Sequence, residues 1–204
     1  MEKIKKAAKL IGSSKCSVII VGAGIKYNSK YKEVIKLAEL CNLPIVTAAG
    51  HGDAIPFGHK LNAGQMGPRG NPVASRLVKN ADVILAIGTR LGFNSTFYSY
   101  ENINKKAKII QIELEKTMLG KYFPVKVKIH ADAATATKQQ YEEIKKEKIE
   151  LNVKDWTNSY LKERKEYLIN RNKENLGPNF PIQPKGLFKQ LRKVLPTNSA
   201  ITLD

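Results

Sequence analysis

The stretch Val18-Ile19-Ile20-Val21-Gly22-Ala23-Gly24 decides the fold class of this chain. Four consecutive β-branched residues indicate a strand that is buried on both faces, as the strands of a parallel sheet are. The glycines predict a tight turn after the strand, and apolar residues at helical spacing in 34–40 predict a helix, which Ser29 can cap. A second short strand at 44–48 completes a β-α-β unit that spans 16–48.

The same alternation of strands and helices continues as far as residue 148. Apolar runs predict further strands at 83–87, 108–112 and 125–129, the last of them an outer strand. Helical spacing predicts helices at 1–11, 71–80 and 133–148, and a stretch rich in Gly, Pro, His and Asn predicts an irregular loop over 50–70. We therefore predict an α/β fold with a doubly wound parallel sheet, helices on both faces, and strands 18–21, 83–87 and 109–112 buried throughout.

The character of the sequence changes beyond residue 150. A long charged helix is predicted over 152–175, a breaker at 176–181, a second amphipathic helix over 183–195 and the first residues of a buried strand at 200–204. We divide the chain into a nucleotide-fold domain at 1–148, a helical linker at 149–182 and the start of a second α/β domain at 183–204. Because the chain stops within a strand, we expect it to be a truncated or proteolysed form.

Composition limits the classes of partner. The net charge is +17, from 35 Lys and Arg against 18 Asp and Glu, and such an excess raises the possibility of a nucleic-acid partner. The lysines lie singly on predicted helix faces, however, without interleaved arginines and aromatics, which argues against that partner. The sequence has neither an apolar run near the roughly 20 residues of a membrane span nor a signal peptide. We expect a cytoplasmic protein without membrane contact, in which Cys16 and Cys41 are reduced.

Candidate ligand-binding residues follow the predicted strands. Gly22 and Gly24 allow a phosphate to approach the backbone, although Tyr27 breaks the G-x-G-x-x-G pattern and a turn without a ligand explains the glycines equally well. Glu113 at a strand end can accept ribose hydroxyls, or it is simply a solvated terminus. The loop residues His51, Asp53 and His59 lack a further ligand, so we predict no metal site. From these residues alone, the ligand of the domain stays open.

The order of segments resembles the central domain of thiamine-diphosphate enzymes of the acetolactate synthase type. The segments that carry the resemblance lie in residues 1–145 and are VIIVGAG at 18–24, LPIVT at 43–47, IPFGH at 55–59, AGQMG at 63–67, ADVILAIGTRL at 81–91, KIIQIE at 108–113 and HADA at 130–133. The segments GPRGN at 67–71 and LGFN at 91–94 are more similar to sulfoacetaldehyde acetyltransferases. Residues 184–204 resemble the opening of the family's diphosphate-binding domain.

This resemblance implies a Rossmann-like sheet of the NAD/FAD-binding type and a role in a larger enzyme. In the family, thiamine diphosphate and Mg²⁺ are held between a pyrimidine-binding and a diphosphate-binding domain, neither of which is contained in this sequence. The resemblance therefore implies that the intact enzyme is a 2-oxo acid decarboxylase or carboligase and forms a homodimer or homotetramer. It also implies that the central domain has no catalytic residue of its own. The alternatives are a fragment of a sulfoacetaldehyde acetyltransferase-like enzyme and a stand-alone FAD- or ADP-binding regulatory module.

The resemblance also implies where a nucleotide would lie. Central domains of the family bind FAD, ADP or a coenzyme A in some members and nothing in others. This sequence has Glu113 and Glu115 where the family usually has aspartates, and Gln65-Met66 where synthases commonly carry Met-His. The residues expected to bind FAD or ADP are Gly22, Gly24, Gly88, Thr89, Arg90, Glu113, Asp132 and Ala133.

Overall fold

A computed structural model describes residues 1–26, 30–173, 181–196 and 198–199 of the chain. It divides into two units, Met1–Lys165 and Glu166–Asp204. The second unit contains the last residues of one helix and the helix Pro184–Val194, on which Leu187 and Phe188 are exposed. None of the described helices is both long and apolar enough to cross a membrane.

Six parallel strands form the sheet of the first unit. They are β1 Ser17–Val21, β2 Ile45–Thr47, β3 Asn62–Gln65, β4 Val83–Ile87, β5 Lys108–Glu113 and β6 Val127–His130. Their order is β3-β2-β1-β4-β5-β6, and every neighbouring pair runs parallel. The order reverses between β1 and β4, which is the position where ligands bind in open sheets of this kind. The doubly wound parallel sheet predicted from the sequence is confirmed.

Helices cover both faces of the sheet. The α-helices of the described chain are α1 Glu2–Gly12, α2 Tyr31–Cys41, α3 Pro72–Asn80, α4 Phe93–Thr96, α5 Ala133–Lys146, α6 Lys154–Lys173 and α7 Pro184–Val194, of which α7 belongs to the second unit. One apolar core joins α1, α2 and α5 to alternate residues of the strands, such as Ile19, Leu85 and Ile110. The crossover through α3 runs in the opposite direction from that through α2, and right-handed crossovers of opposite direction lie on opposite faces. The predicted burial of 18–21, 83–87 and 109–112 is confirmed.

One local prediction is wrong. The irregular loop expected over 50–70 contains the edge strand β3, whose residues Asn62-Ala63-Gly64-Gln65 include none of the β-branched residues that mark a strand. Strand 109–112 is buried although it contains the polar residue Gln111. The predicted Ser29 cap, the strand at 200–204 and nearly all of the breaker at 176–181 lie outside the described residues.

The beginning of α6 packs against the amino-terminal ends of three strands. Its side chains donate hydrogen bonds to four backbone carbonyls there: Trp156 to Ser17 at 2.9 Å, Thr157 to Asn42 at 2.6 Å, Tyr160 to Lys60 at 3.2 Å and Arg164 to Asn62 at 3.0 Å. The first unit therefore includes this helix as far as Lys165, whereas the linker was expected to begin at 149. The division of a longer protein into domains stays a prediction.

Candidate functional site

A cleft of about 700 Å³ lies at the carboxyl ends of the strands. Its walls come from the turns that follow β1, β2, β4, β5 and β6. It is lined by seven of the eight residues predicted from the sequence, namely Gly24, Gly88, Thr89, Arg90, Glu113, Asp132 and Ala133. The eighth, Gly22, is buried and does not line it.

The glycines of this region bring two strand ends together. The Gly22 amide donates to the Ile87 carbonyl, and the Gly24 amide donates to the Gly88 carbonyl, each at 3.1 Å. A Cβ atom on Gly24 would lie 2.7 Å from the Gly88 Cα atom, and one on Gly22 would lie 2.6 Å from the Gly88 carbonyl oxygen. Real Cβ atoms do not approach backbone this closely, so these glycines are needed for the packing of the β1 turn on the β4 turn. Their use in contacting a phosphate stays a prediction.

Arg90 carries the positive charge of the β4 turn. Its side chain lines the cleft and is exposed, and no carboxylate in the described part of the chain lies within 4 Å of its guanidinium. Its charge does reach Glu115, whose pKa is lowered mainly by hydrogen bonds from Thr117 and to a lesser extent by Arg90. The guanidinium, with its planar fork of donors, is thus available to an anion.

The position of Arg90 is fixed by the backbone around it. Leu91 has a φ of +52°, a left-handed conformation that is unusual for a leucine and turns the chain sharply after Arg90. The Thr96 hydroxyl donates to the Leu91 carbonyl at 3.0 Å and so holds this turn. Buried Gln111 donates to the Thr89 carbonyl at 3.1 Å and accepts from the Gly120 amide at 2.8 Å. These contacts tie the residues on both sides of Arg90 to the framework.

The two predicted carboxylates already have partners within the protein. Glu113 is 9% exposed, and its Oε1 accepts from the backbone amides of Leu114 and Glu115 at 3.0 and 3.2 Å. Asp132 caps α5, because its Oδ1 accepts from the Thr135 amide at 3.0 Å.

The other oxygen of Asp132 pairs with a residue that the sequence analysis missed. Its Oδ2 lies 2.5 Å from the Lys30 Nζ, so the carboxylate faces a cation on the cleft wall. The pKa of Asp132 is lowered, first by this hydrogen bond and then by that from the Thr135 amide. Lys30 lies at the beginning of α2, and a helix start beside a strand end is a known position for anion binding that would have singled it out.

Other residues of the cleft lining were also not predicted from the sequence. His51 lines it, and its Nδ1 is a buried atom without a hydrogen-bond partner in the described ranges. The pKa of His51 is lowered, mainly by burial and then by the charge of Lys26. The Ser95 hydroxyl oxygen accepts from the Ala49 amide at 2.9 Å and joins the turn after β2 to α4. Phe93, 54% exposed, extends the wall outward.

A metal centre is not formed by these groups. Across residues 1–26, 30–173, 181–196 and 198–199, no three His, Cys, Asp or Glu side chains come close enough to hold a metal ion. In particular, Asp53 pairs with Lys26 at 2.9 Å, and His59 lies 3.3 Å from Glu39.

Taken together, the sheet order and the cleft at its reversal point define a nucleotide-fold domain. The family model described as thiamine pyrophosphate enzyme, central domain, matches residues 4–140. The chain belongs to this family. The resemblance inferred from the sequence is thereby confirmed.

The chain is similar to two groups of curated proteins. It is 37% identical over 139 residues to a sulfoacetaldehyde acetyltransferase of Roseovarius nubinhibens, an alignment that covers 67% of this chain and 23% of that protein. It is 28% identical over 225 residues to the sulfoacetaldehyde acetyltransferase of Castellaniella defragrans, covering 100% and 37%. A probable acetolactate synthase large subunit of Methanococcus aeolicus is 30% identical over 216 residues, covering 99% and 35%. The chain thus spans about a quarter to two fifths of the length of these relatives.

Proposed function

We propose that this chain is the non-catalytic central part of a thiamine-diphosphate-dependent enzyme that decarboxylates a 2-oxo acid and forms or cleaves a carbon–carbon bond. The family match supports the cofactor, and the names of the relatives support an acetolactate synthase-like carboligase or a sulfoacetaldehyde acetyltransferase-like enzyme. The 37% identity to an acetyltransferase of the second type favours that candidate over the shared stretch. Thiamine diphosphate and Mg²⁺ would be held by the family's pyrimidine-binding and diphosphate-binding domains.

Within this chain, the cleft is proposed to bind an anionic nucleotide such as ADP or FAD. The single observation that carries this proposal is Arg90, an exposed guanidinium in the cleft with no carboxylate within 4 Å in the described residues. A guanidinium fork pairs well with a diphosphate. The two turns that contain Gly24 and Gly88 line the same cleft.

The test is a calorimetric titration of the chain and of Arg90→Ala with ADP and with FAD. Loss of a hydrogen-bonded charge should weaken binding by about 1.5–3 kcal/mol. Arg69→Ala is the matched control, because Arg69 is an exposed arginine that does not line the cleft. Equal affinities in wild type and Arg90→Ala would remove Arg90 from the site. No binding to the wild-type chain would leave the domain as a structural spacer or would favour a different ligand.

The assembly and cellular location are proposed from the resemblance. We expect the whole protein to be a cytoplasmic homodimer or homotetramer that includes the two cofactor-binding domains. Both cysteines are free thiols, and burial raises the pKa of Cys41 to about 12, as suits a reduced core residue. Light scattering of the full-length protein would distinguish a dimer from a tetramer, and a monomer would contradict the proposal.

A further inference from the structure

We propose that Lys30 selects phosphate-bearing ligands in the cleft by exchanging its partner Asp132 for a phosphate of the ligand. This inference rests on the proposal that the cleft binds a nucleotide, and it assigns to Lys30 the recognition of the phosphate. The choice of Lys30 rests on the geometry of the cleft wall, where the Lys30 Nζ and the Asp132 Oδ2 lie 2.5 Å apart.

The ion pair can be exchanged at little cost. The side chains of Lys30 and Asp132 are 30% and 35% exposed, so water already solvates part of both. Ion pairs that are this accessible contribute little net stability, because solvent screens them and holding two side chains together costs entropy. A diphosphate carries more negative charge than one carboxylate and offers several acceptor oxygens, so it competes well for the ammonium group.

Asp132 does not depend on Lys30 for its charge. Its Oδ1 accepts from the Thr135 amide and the Thr135 hydroxyl, at 3.0 and 3.1 Å, and it caps the beginning of α5. A carboxylate at a helix start is also stabilised by the helix dipole. Departure of Lys30 therefore leaves Asp132 hydrogen-bonded and charged, so the exchange creates no buried, uncompensated group.

The remaining charged groups of the cleft make Lys30 a suitable second cation. Glu113 is held by two backbone amides, and Arg90 projects from the β4 turn. Lys30 comes from the beginning of α2, a different wall of the same cleft. A phosphate in the cleft would meet Arg90, which has no carboxylate within 4 Å among the described residues, and Lys30, which must first leave Asp132. A nucleoside without phosphate offers no anionic group that could replace Asp132 as the partner of Lys30.

Two substitutions in the pair have opposite expected effects, which separates recognition from a merely structural role. Lys30→Met removes the cation without removing a cap, since the Lys30 side chain makes no capping hydrogen bond to α2. Asp132→Asn keeps the cap of α5, because asparagine caps as well as aspartate does, and it releases Lys30. Lys36→Met is the matched control. Lys36 also lies on α2 and pairs with Glu33 at 2.8 Å, but it does not line the cleft.

The experiment is calorimetric titration of the full chain and its three variants with ADP, adenosine and inorganic diphosphate at one ionic strength. Lys30→Met should weaken ADP and diphosphate at least about tenfold and leave adenosine unchanged. Asp132→Asn should strengthen ADP by up to about fivefold, the value of an accessible ion pair. Thermal unfolding of each variant checks that it is folded.

Each alternative outcome is distinct. Equal ADP affinity in wild type and Lys30→Met, or a weakening by Asp132→Asn, overturns the role of Lys30 while nucleotide binding stands. Diphosphate binding that depends on Lys30, without any preference for ADP over diphosphate, supports the role of Lys30 in phosphate recognition. The same result overturns the proposal that the cleft binds a nucleotide. A wild-type chain that binds none of the three ligands overturns both proposals.

Discussion

At the scale of single residues, Asp82 joins the beginnings of two central strands. Its carboxylate accepts from the Ser14 hydroxyl, from the Lys15 amide at 2.9 Å and from the Cys16 amide at 3.1 Å. Asp82 immediately precedes β4, whereas its donors precede β1. Partial burial alone would raise the pKa of Asp82, but the hydrogen bonds from Ser14 and the backbone outweigh it and lower the pKa.

Asp82→Ala should therefore destabilise the fold in a pH-dependent way. We expect a loss of about 1.5–3 kcal/mol in the free energy of unfolding near pH 7, since hydrogen bonds to a charged group are removed. A lowered pKa stabilises the folded state above the unfolded carboxyl pKa of about 3.9, and this contribution is lost as the pH falls through the folded value. Urea unfolding between pH 7 and pH 3 should show the difference from wild type shrinking toward acid. Glu101→Ala, an exposed carboxylate, is the control, and a pH-independent difference would contradict the argument.

A second residue-scale prediction concerns Gly88. Its φ is +57°, and a Cβ atom there would lie 2.8 Å from the Gly24 Cα atom, so an alanine suffers both backbone strain and a clash with backbone. We expect Gly88→Ala to lower the free energy of unfolding by about 1–3 kcal/mol, the cost of one strained residue. Gly58→Ala, with nothing within 4 Å of the new Cβ atom, should leave it unchanged or slightly higher. Two variants of equal stability in denaturant unfolding would show that the β1 and β4 turns can move apart.

At the scale of elements, the beginning of α6 closes the sheet end opposite the cleft. Tyr160 is almost fully buried and Trp156 and Arg164 donate to carbonyls near β1 and β3. Glu163 of α6 also forms an ion pair with Arg76 of α3. The sequence analysis predicted a long charged helix here and assigned it to a linker, because the strand ends that it contacts are 100 to 139 residues away along the chain.

Substitutions of Tyr160 measure how much this helix stabilises the first unit. Tyr160→Ala removes a buried ring and should cost about 3–5 kcal/mol, as for other large aromatic residues. Tyr160→Phe keeps the ring and loses only the 3.2 Å hydrogen bond to the Lys60 carbonyl, so its cost should be about 0.5–1.5 kcal/mol. Chemical denaturation followed by circular dichroism gives both values. A Tyr160→Ala protein as stable as wild type would show that α6 can be removed from the fold.

Helices and strands were predictable from the sequence where their own residues carry the pattern that marks them. The β-branched run of β1 and the apolar run of β4 predict buried strands without reference to their neighbours. Gly88 and Arg90, which follow β4, must then lie at the carboxyl ends of the strands. Strand β3 was not predictable, because Asn62 to Gln65 pair with β2 through the backbone and carry no strand signal in their side chains. His51 and Phe93 reach the cleft from loops whose path depends on tertiary contacts such as that of Ser95 with Ala49.

At the scale of the whole molecule, the chain combines a strongly positive charge with a cleft that we propose to bind an anionic nucleotide. A net charge of +17 raises the local concentration of anionic ligands around the entire surface, and salt screens this effect. The selectivity of the cleft must instead come from a few oriented groups, among which Arg90 and Lys30 are the cations. The chain spans about a quarter to two fifths of the length of these relatives.

The isolated chain is therefore expected neither to bind thiamine diphosphate tightly nor to convert pyruvate. The family match over 4–140 is to the central domain alone, and the resemblance puts the cofactor between the two other domains of the family. Calorimetry with thiamine diphosphate and Mg²⁺ should give no binding heat at micromolar cofactor for the chain, whereas the full-length protein, as the control, should bind. Thermal unfolding of the same sample checks that the chain is folded. Micromolar binding of thiamine diphosphate by the chain alone would contradict its assignment as the central, non-catalytic part of the enzyme, because the cofactor would then have a site within these 204 residues.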